Sequence, residues 1–434
     1  AATYRDPRFV AETGREAYKF YYRLRYPLDA DEAGRPRRLS AVHTRLQEAG
    51  AVFGTKHGWE RPDHLEPGRP WRRTGEDQHA WGWGPPPFLD HVASEHRAVR
   101  ERAGLVDLSS FGKIRVEGPD ALALLERVSV ARIDRPVGTV VYTQWLDERA
   151  GFVADVTVTR LSAERFRVVT GAGYVAGDLG WLRLQADAAG LAAVELVDAS
   201  DEWACFGLWG PRARDILGGA TSADVSDGAL PLRSARELEV GGARVLAQRI
   251  SYAGELGWEL YAPRDRAIHA WDAIAAAGRP HGLAPVGYRA LDGLRMEKGY
   301  RYFGTDLTSM DSPLEAGTMG FVSRSKPDFV GHDALNRRLD AGPPATRIRT
   351  VLVGDDAAWR PAYGGEAVLV GGEPVGRLRS AAYGHTVGRM LGYVYLPADL
   401  EEGHRVEVEV LGERVPATVT ADAVVDPAGD RMRG

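Results

Sequence analysis

A glycine-rich turn between two strand-like runs is the first segment that could carry chemistry. Residues 165–170 alternate like a strand and lead into Gly171-Ala-Gly173, after which a helical run covers 179–184. A second strand-like run ends at Asp198, about twenty residues further on. In a dinucleotide-binding fingerprint, such glycines admit a pyrophosphate to a helix N-terminus and the acid binds a ribose hydroxyl. Here the last glycine, Gly177, comes one position late and the chain lacks the further strand–helix units of a doubly wound sheet, so we interpret the segment as a tight strand-to-helix turn.

Histidine and cysteine residues show no spacing typical of a metal site. Six of the eleven histidines fall in the first hundred residues, at spacings of five to fifteen that match neither an i,i+4 helical pair nor a zinc finger. They include His57, His64, His79, His91 and His96. The single cysteine, Cys205, lies in the apolar run Trp-Ala-Cys-Phe and is expected to be a buried, inert thiol that fits a reducing compartment. We therefore predict no metal site and no disulfide within this chain.

Composition and charge argue against several classes of function. Lys and Arg total 55 against 60 Asp and Glu, which gives a formal charge of -5, and no long basic run offers a surface for nucleic acid. Apolar residues make up 44% and charged residues 26%, as is typical of globular proteins. No stretch approaches the roughly eighteen apolar residues of a membrane span, and the first residues lack the order of a signal peptide. We expect a cytoplasmic protein that binds neither nucleic acid nor membrane.

Three regions with different patterns are expected to position the functional side chains. Residues 1–87 combine a helix predicted over 9–25 with a Trp- and Pro-rich segment, and we interpret them as an N-terminal connector. Residues 88–341 show a repeated order of strand, helix and strand, which is typical of an α+β body with two subdomains. Residues 345–434 change to short alternating runs punctuated by glycine. We place a domain boundary near Gly342.

The last region is expected to form an antiparallel β-barrel or sandwich, because six short strands follow one another at about ten-residue spacing. The predicted strands cover 349–353, 366–370, 375–378, 392–396, 405–410 and 417–420.

Several segments together resemble the folate-binding half of the sarcosine and dimethylglycine dehydrogenases, which is related to the aminomethyltransferase (T-protein) of glycine cleavage. The resembling pieces occur in the same order over nearly the whole chain: 50–54 with 58–62, 95–107, 142–155, 251–259, 287–301 and 311–317. The resemblance implies an α+β fold, a three-domain ring with a C-terminal antiparallel β-barrel. It also implies that tetrahydrofolate stands in the central hole, with its pterin facing a catalytic carboxylate.

The resemblance places the catalytic role on Asp155, at the end of Ala150-Gly-Phe-Val-Ala-Asp155. A carboxylate beside the folate nitrogens could accept a proton and stabilise positive charge as a carbon at the formaldehyde oxidation level is taken up. Without the surrounding motif, an aspartate at a strand edge would be read as a turn or surface residue. The family often has two glycines and sometimes two aspartates here, whereas this chain has Ala150 and Ala154, so a neighbouring helper carboxylate is absent.

Five further residues are implied in cofactor binding by the same resemblance. Tyr142, thirteen residues before Asp155, matches an aromatic beside the pterin. In Tyr252-Ala-Gly-Glu255, Glu255 matches a paired acceptor for the pterin N2 and N3 hydrogens, with Tyr252 beside it. Tyr300 matches another folate-lining aromatic, and Arg289 could meet a folate carboxylate.

The expected function is capture on tetrahydrofolate of the carbon released by oxidative N-demethylation of a methylated amine, giving 5,10-methylene-tetrahydrofolate. FAD is expected only on a partner flavoprotein chain, since no glycine fingerprint opens this sequence. Leu291, where glycine-cleavage enzymes place an arginine, argues against a true glycine-cleavage T-protein. Two alternatives stay open: a stand-alone folate-dependent O- or S-demethylase that forms 5-methyl-tetrahydrofolate, and a non-catalytic subunit that docks an amine oxidase.

Overall fold

The structure is a computed structural model that describes residues 6–22, 31–68, 72–73 and 83–434. The helix expected over 9–25 is observed at Pro7–Phe20, where Asp6 caps its N-terminus by accepting a hydrogen bond from the backbone N–H of Arg8. The end of that predicted helix lies outside the described residues, as do Trp71, His79 and Trp81. The predicted domain limits at 87/88 and 341/345 stay predictions.

Helices and strands follow one another along the described residues as the α+β pattern predicts. Helices α1 to α10 occupy, in chain order, Pro7–Phe20, His43–Glu48, Leu89–Glu101, Ala121–Val128, Val175–Ala189, Ala213–Ala220, Ala267–Gly278, Tyr288–Glu297, His332–Asp340 and Asp430–Arg433. Strands β1 to β20 occupy Ala51–Lys56, Trp59–Leu65, Arg72–Arg73, Gly104–Asp107, Gly112–Glu117, Val140–Leu146, Phe152–Arg160, Arg165–Thr170, Glu195–Asp198, Trp203–Trp209, Ala235–Val240, Ala243–Gln248, Gly257–Pro263, Ala284–Val286, Thr346–Val353, Ala367–Val370, Glu373–Gly384, Arg389–Pro397, Arg405–Val410 and Glu413–Thr420.

The first large sheet has the strand order β6-β7-β8-β5-β9, and all of its ladders are antiparallel. One face carries Ile114, Val156 and Phe166, which pack under α4 and α5. The glycine turn after β8 leads into α5, but β8 and β9 are separated by β5. The parallel ladder of a dinucleotide-binding unit is therefore absent from this sheet as described, in agreement with the interpretation of Gly171-Ala-Gly173 as a turn.

The second large sheet has the order β11-β12-β13-β10-β4-β14, in which only the β4–β14 edge is parallel among the described strands. Its apolar face, with Phe206 and Leu260, packs under α6 and α7. Its other face is turned towards the first sheet, because the guanidinium of Arg167 on β8 stacks on Trp203 and Tyr261. Two helix-covered sheets thus meet through faces that carry polar side chains.

The C-terminal strands close into a six-stranded antiparallel barrel, in the order β15-β18-β17-β16-β19-β20. All six strands of the predicted barrel are confirmed. The third is longer than expected: it runs from Glu373 to Gly384 through Gly376 and past a bulge between Leu378 and Ser380. The α+β fold with a C-terminal antiparallel barrel is therefore confirmed.

Buried ion pairs on α8 join the body of the chain to the barrel. Arg295 donates to Asp306 over 2.7 Å and to the Ser380 hydroxyl on β17 over 3.0 Å. Asp306, fully buried, also accepts from the backbone N–H of Tyr302 and from Ser380. The exposed Asp292 accepts from the same arginine over 3.1 Å.

Replacing Asp306 with Ala should destabilise the chain strongly, because a buried guanidinium loses its counter-charge. We expect a fall in the free energy of unfolding of about 3–5 kcal/mol. The matched control is Asp292→Ala, which removes a carboxylate from the same arginine but at a side chain that is 59% exposed; it should cost less than about 1 kcal/mol. Urea denaturation monitored by tryptophan fluorescence measures both, and equal losses would contradict this account.

Candidate functional site

The register of the β6–β7 hairpin places Asp155 beside two polar side chains. Asp155 stands directly opposite Gln144, and Tyr142 projects from the same face two residues earlier. The turn is held by Asp147, whose carboxylate accepts from the backbone N–H groups of Arg149 and Gly151 over 2.9 and 2.8 Å. The sequence suggested that Asp155 stands at the edge of a strand. In the structure it lies inside β7, so it does not form part of a turn.

The environment of Asp155 favours its protonated form more than water does. Burial raises its pKa from 3.8 to about 7, although the Tyr142 and Gln144 side chains lower it again by hydrogen bonding. One of its oxygens, Oδ1, is buried without a hydrogen-bond partner among the described residues. A carboxyl that lines a cavity and keeps free acceptor capacity is suited to receive a donor from a bound molecule.

Asp155 faces a cavity of about 490 Å³, which we call the central cavity. Its wall is built by the β1–β2 hairpin, by both large sheets, by α8 and by residues next to the barrel. The lining residues include Lys56, His57, Arg61, Tyr142, Asp155, Gly171, Gly173, Tyr174, Tyr252, Glu259, Tyr288, Asp292, Arg295, Tyr302, Tyr363 and Arg379. Parts of the chain more than 300 residues apart thus meet at one space, and its size is within the usual range of small-molecule sites.

Tyr252 is brought to the central cavity as expected. Its hydroxyl donates to the backbone carbonyl of Arg301 over 3.0 Å, which leaves the flat ring to form part of the wall. Tyr300 stacks behind it, with ring centroids 5.9 Å apart and planes at 17°. The Tyr300 hydroxyl contacts the Met432 sulfur, so Tyr300 supports Tyr252 and is not among the residues that line the central cavity.

Glu255 is not brought to the central cavity. Its carboxylate is buried and forms ion pairs of 2.8 Å with both Arg100 and Arg431. Two arginines already occupy this carboxylate in the turn that precedes β13, and its expected role as a pterin acceptor stays a prediction. The carboxylate that does line the cavity is Glu259, four residues later on β13.

Glu259 resembles Asp155 in its electrostatics. Burial raises its pKa from 4.5 to about 7, opposed by a hydrogen bond from the Tyr261 hydroxyl at 2.6 Å and by the charge of Lys113. The sequence reasoning missed this residue because it followed the resemblance to Glu255. The signal that could have found it is strand periodicity: Glu259 is an acidic residue inside the run Gly-Trp-Glu-Leu-Tyr-Ala, and such a residue in a buried strand is costly unless a ligand or partner meets it.

Arg289 is also held away from the central cavity. It donates to Asp63 over 2.9 Å and stacks on Phe88 at 4.4 Å. Since Asp63 is itself on the cavity wall, Arg289 acts through that carboxylate and does not reach the space directly. The expected contact between Arg289 and a folate carboxylate stays a prediction.

Known proteins share this fold and most of this sequence. Residues 42–326 match the family described as GCVT N-terminal domain, a match that begins inside the predicted N-terminal connector, and residues 347–426 match the glycine cleavage T-protein C-terminal barrel domain. The chain belongs to the aminomethyltransferase (T-protein) family. This is a family of folate-dependent transferases related to the sarcosine and dimethylglycine dehydrogenases.

Similar proteins include both short and long members. The aminomethyltransferase of Symbiobacterium thermophilum is 35% identical over 78% of this chain and 90% of its own length. The 4-methylaminobutanoate oxidase (formaldehyde-forming) of Paenarthrobacter nicotinovorans is 38% identical over 95% of this chain, and human mitochondrial dimethylglycine dehydrogenase is 33% identical over 98%. This chain spans about half the length of those two relatives.

A solved structure supports the fold alone. The glycine cleavage system aminomethyltransferase T from Bartonella henselae superposes with a TM-score of 0.76 and 24% identity, covering 90% of this chain and 99% of its own. Within the described residues, no cluster of three or more His, Cys, Asp or Glu could hold a metal ion. None of the described helices has the length and apolar composition to cross a membrane.

Replacing Asp155 with Asn should change how stability depends on pH. Between about pH 4 and 7 the folded chain binds more protons than the unfolded chain at this carboxyl, so the carboxyl makes stability fall as pH rises through that window. The variant lacks this titration. As pH rises, its free energy of unfolding should therefore increase relative to that of the wild type, by up to about 1.4 kcal/mol per pH unit. Denaturant midpoints measured across the window check this, and a difference that does not vary with pH would contradict it.

Proposed function

We propose that this chain captures, on tetrahydrofolate, the carbon released by oxidative N-demethylation of a methylated amine, giving 5,10-methylene-tetrahydrofolate. The observation that carries the proposal is Asp155, a half-buried carboxyl that lines the central cavity and has one oxygen without a hydrogen-bond partner among the described residues. Bound tetrahydrofolate would supply two nucleophilic nitrogens that take up a carbon at the formaldehyde oxidation level.

The residues on the cavity wall fit a reduced pterin. A pterin is flat and carries hydrogen-bond donors at its edge, and the wall offers the aromatic rings of Tyr142 and Tyr252 together with two carboxyls that have acceptor capacity. Burial raises the pKa of both tyrosines well above 10, so their rings stay neutral near pH 7. We assign Tyr142 and Tyr252 to stacking and edge contacts with the pterin.

Asp155 would act as the proton acceptor and electrostatic stabiliser. With a pKa near 7, a substantial fraction of the carboxyl is ionised at neutral pH, and this is the range in which a general base combines availability with proton affinity. Its low-polarity surroundings strengthen its interaction with any positive charge that develops nearby. Tyr142 and Gln144 hold the carboxyl in position through the β6–β7 register.

Glu259 would take the role that the sequence assigned to Glu255. A carboxylate accepts two parallel N–H donors well, and Glu259 is the buried acid of β13 that borders the central cavity. Tyr261 fixes one of its oxygens by a 2.6 Å hydrogen bond and thereby orients the group.

The carbon donor is proposed from the relatives. A 4-methylaminobutanoate oxidase and dimethylglycine dehydrogenases each match this chain over about half of their length, so the step that releases the carbon would lie in a part they have beyond the matched region. We propose that an FAD-dependent oxidase or dehydrogenase, as a partner or a fused segment, performs that step, and that the pair acts in the cytoplasm. Handing the carbon over inside an assembly would limit loss of a reactive aldehyde.

Asp155→Ala should slow folate-dependent capture of formaldehyde by about 10²–10⁴-fold, the usual contribution of a general base. The assay mixes tetrahydrofolate with formaldehyde and the chain, and follows 5,10-methylene-tetrahydrofolate above the uncatalysed rate. Asp155→Asn keeps the volume of the side chain and should behave alike, because the ionisable oxygen is what matters. An unchanged rate in both variants would remove Asp155 from the mechanism, and release of 5-methyl-tetrahydrofolate would favour a stand-alone demethylase.

Glu259→Gln should weaken tetrahydrofolate binding about tenfold or more, since one acceptor oxygen becomes a donor. The matched control is Glu255→Gln, an identical change at a carboxylate that is paired to two arginines outside the central cavity. It should lower stability but leave the affinity of the folded fraction within about twofold. Calorimetric titration with tetrahydrofolate measures both affinities, and the reverse order would restore the original assignment to Glu255.

A further inference from the structure

A second cavity of about 710 Å³ lies between the two large sheets, and the proposed function does not use it. Strand β8 borders both cavities: Val169 and Thr170 line the central cavity, whereas Arg165 and Arg167 line the second. Strand β13 follows the same division, with Glu259 at the central cavity and Pro263 at the second. The two spaces therefore occupy opposite ends of one gap between sheets.

The second cavity is strongly basic. Seven cationic residues line it against three acidic ones. The cations are Lys113, Arg115, Arg160, Arg165, Arg167, Arg236 and Arg244, and the acids are Glu117, Glu202 and Glu237. Such a surplus in a concave space attracts anions.

Most of the cations on the rim already have carboxylate partners. Arg115 pairs with Glu117 and Glu202 over 3.4 and 3.5 Å, and Arg244 pairs with Glu237. Arg160 pairs with Asp134 over 2.6 Å. Arg165 and Arg236 donate instead to the Ser162 hydroxyl and to the backbone carbonyl of Asp224.

Arg167 is a buried cation of this cavity without a carboxylate partner among the described residues. It is only 7% exposed, and within the described part of the chain no carboxylate lies within ion-pair distance of it. Its guanidinium stacks on Trp203 at 4.2 Å and lies 5.1 Å from the Tyr261 ring, while its Nη1 has no hydrogen-bond partner in the described structure. Burial lowers its pKa, which reflects the cost of holding a cation there without a counter-charge.

Lys113 adds a second buried cation on the neighbouring strand. It is fully buried, and its ammonium donates to the backbone carbonyl of Ser109 over 2.7 Å. Lys113 stands opposite Val169, two positions along the ladder from the Arg115–Arg167 pair and therefore on the same face. Two buried cations thus border a cavity whose other deep residues, such as Leu161 and Leu246, are apolar.

We propose that the second cavity is a binding site for a small organic carboxylate, with the carboxylate on Arg167 and the apolar body against Leu161, Leu246 and Trp203. A guanidinium held flat by an aromatic ring presents its unpaired N–H groups in a plane, which matches a carboxylate. The mostly apolar remainder suits a short aliphatic chain.

Calorimetric titration of the full chain with butanoate, butanamide and inorganic phosphate tests this assignment. Butanoate should bind saturably, whereas butanamide, which has the same shape without the charge, should bind at least tenfold more weakly. Arg167→Met should weaken butanoate binding at least tenfold. The control, Arg244→Gln, removes a cation from the same cavity that is already paired with Glu237 and should stay within about twofold of the wild type.

A second measurement keeps the test valid even where Arg167→Met folds poorly. In the wild-type chain, butanoate should shift the indole NMR signal of Trp203, assigned by comparison with Trp203→Phe. Absence of saturable binding, an undisturbed Trp203 signal, or phosphate binding as tightly as butanoate would each overturn the proposal.

Competition separates this site from the proposed function. Saturating the chain with tetrahydrofolate should leave butanoate affinity within about twofold, because the two ligands occupy opposite ends of the gap between sheets. Loss of butanoate binding under these conditions would overturn a second site. Failure of tetrahydrofolate to bind would count against the proposed function only, since butanoate binding depends on Arg167 and not on Asp155.

Discussion

Two helix-covered sheets face each other through polar side chains, and the structure depends on how the charges buried between them are compensated. Removing an ion from water costs several kcal/mol, so each buried charge needs a partner or a ligand. The turn before β13 shows the first solution: Arg100 joins Glu255 on one side and Glu297 on the other. Although burial opposes it, hydrogen bonding from His96 and the charges of His96 and Arg100 lower the pKa of Glu297 to about 2. These acids are structural.

The acids of the central cavity follow the opposite rule. No arginine or lysine forms an ion pair with Asp155 or Glu259 in the described structure, and burial raises the pKa of each to about 7. The contrast between Glu255 and Glu259 is instructive because the two are four residues apart. One lies in a turn where two guanidinium groups reach it, and the other lies in a strand that faces the cavity. Pairing thus separates carboxylates that hold the fold from carboxylates with capacity for a ligand.

Much of this arrangement could be predicted from local sequence patterns. The barrel strands alternate with period two and are separated by glycines, which is the pattern that predicted them. Helix α5 was predicted too short, since Gly177 and Gly180 interrupt its pattern, yet tertiary packing completes it from Val175 to Ala189. The place of Asp155 in the cavity wall came from resemblance, and strand alternation then explains why it faces inward.

The remaining part of the site could not be predicted because it depends on long-range pairing. Arg289 and Asp63 are 226 residues apart, and no local sequence pattern indicates that they form an ion pair with each other. Likewise, Glu255 forms an ion pair with Arg431, which is 176 residues away in the sequence. In each case the charged side chain could either bind folate or form a buried ion pair within the protein. Residue type and spacing do not distinguish these two roles. Only the fold decides between them.

The ladder between β5 and β8 shows how one register sets the character of both cavities. It places Arg115 directly opposite Arg167, an unfavourable pair of like charges. The outer arginine turns to Glu117 and Glu202, which leaves the inner one against aromatic rings with no acid of its own among the described residues. Farther along β8, Val169 lies on the same face and lines the central cavity, as Asp155 does. Among the described residues, the gap between the sheets therefore holds acids without an ion-pair partner, Asp155 and Glu259, at one end and a buried arginine without one, Arg167, at the other.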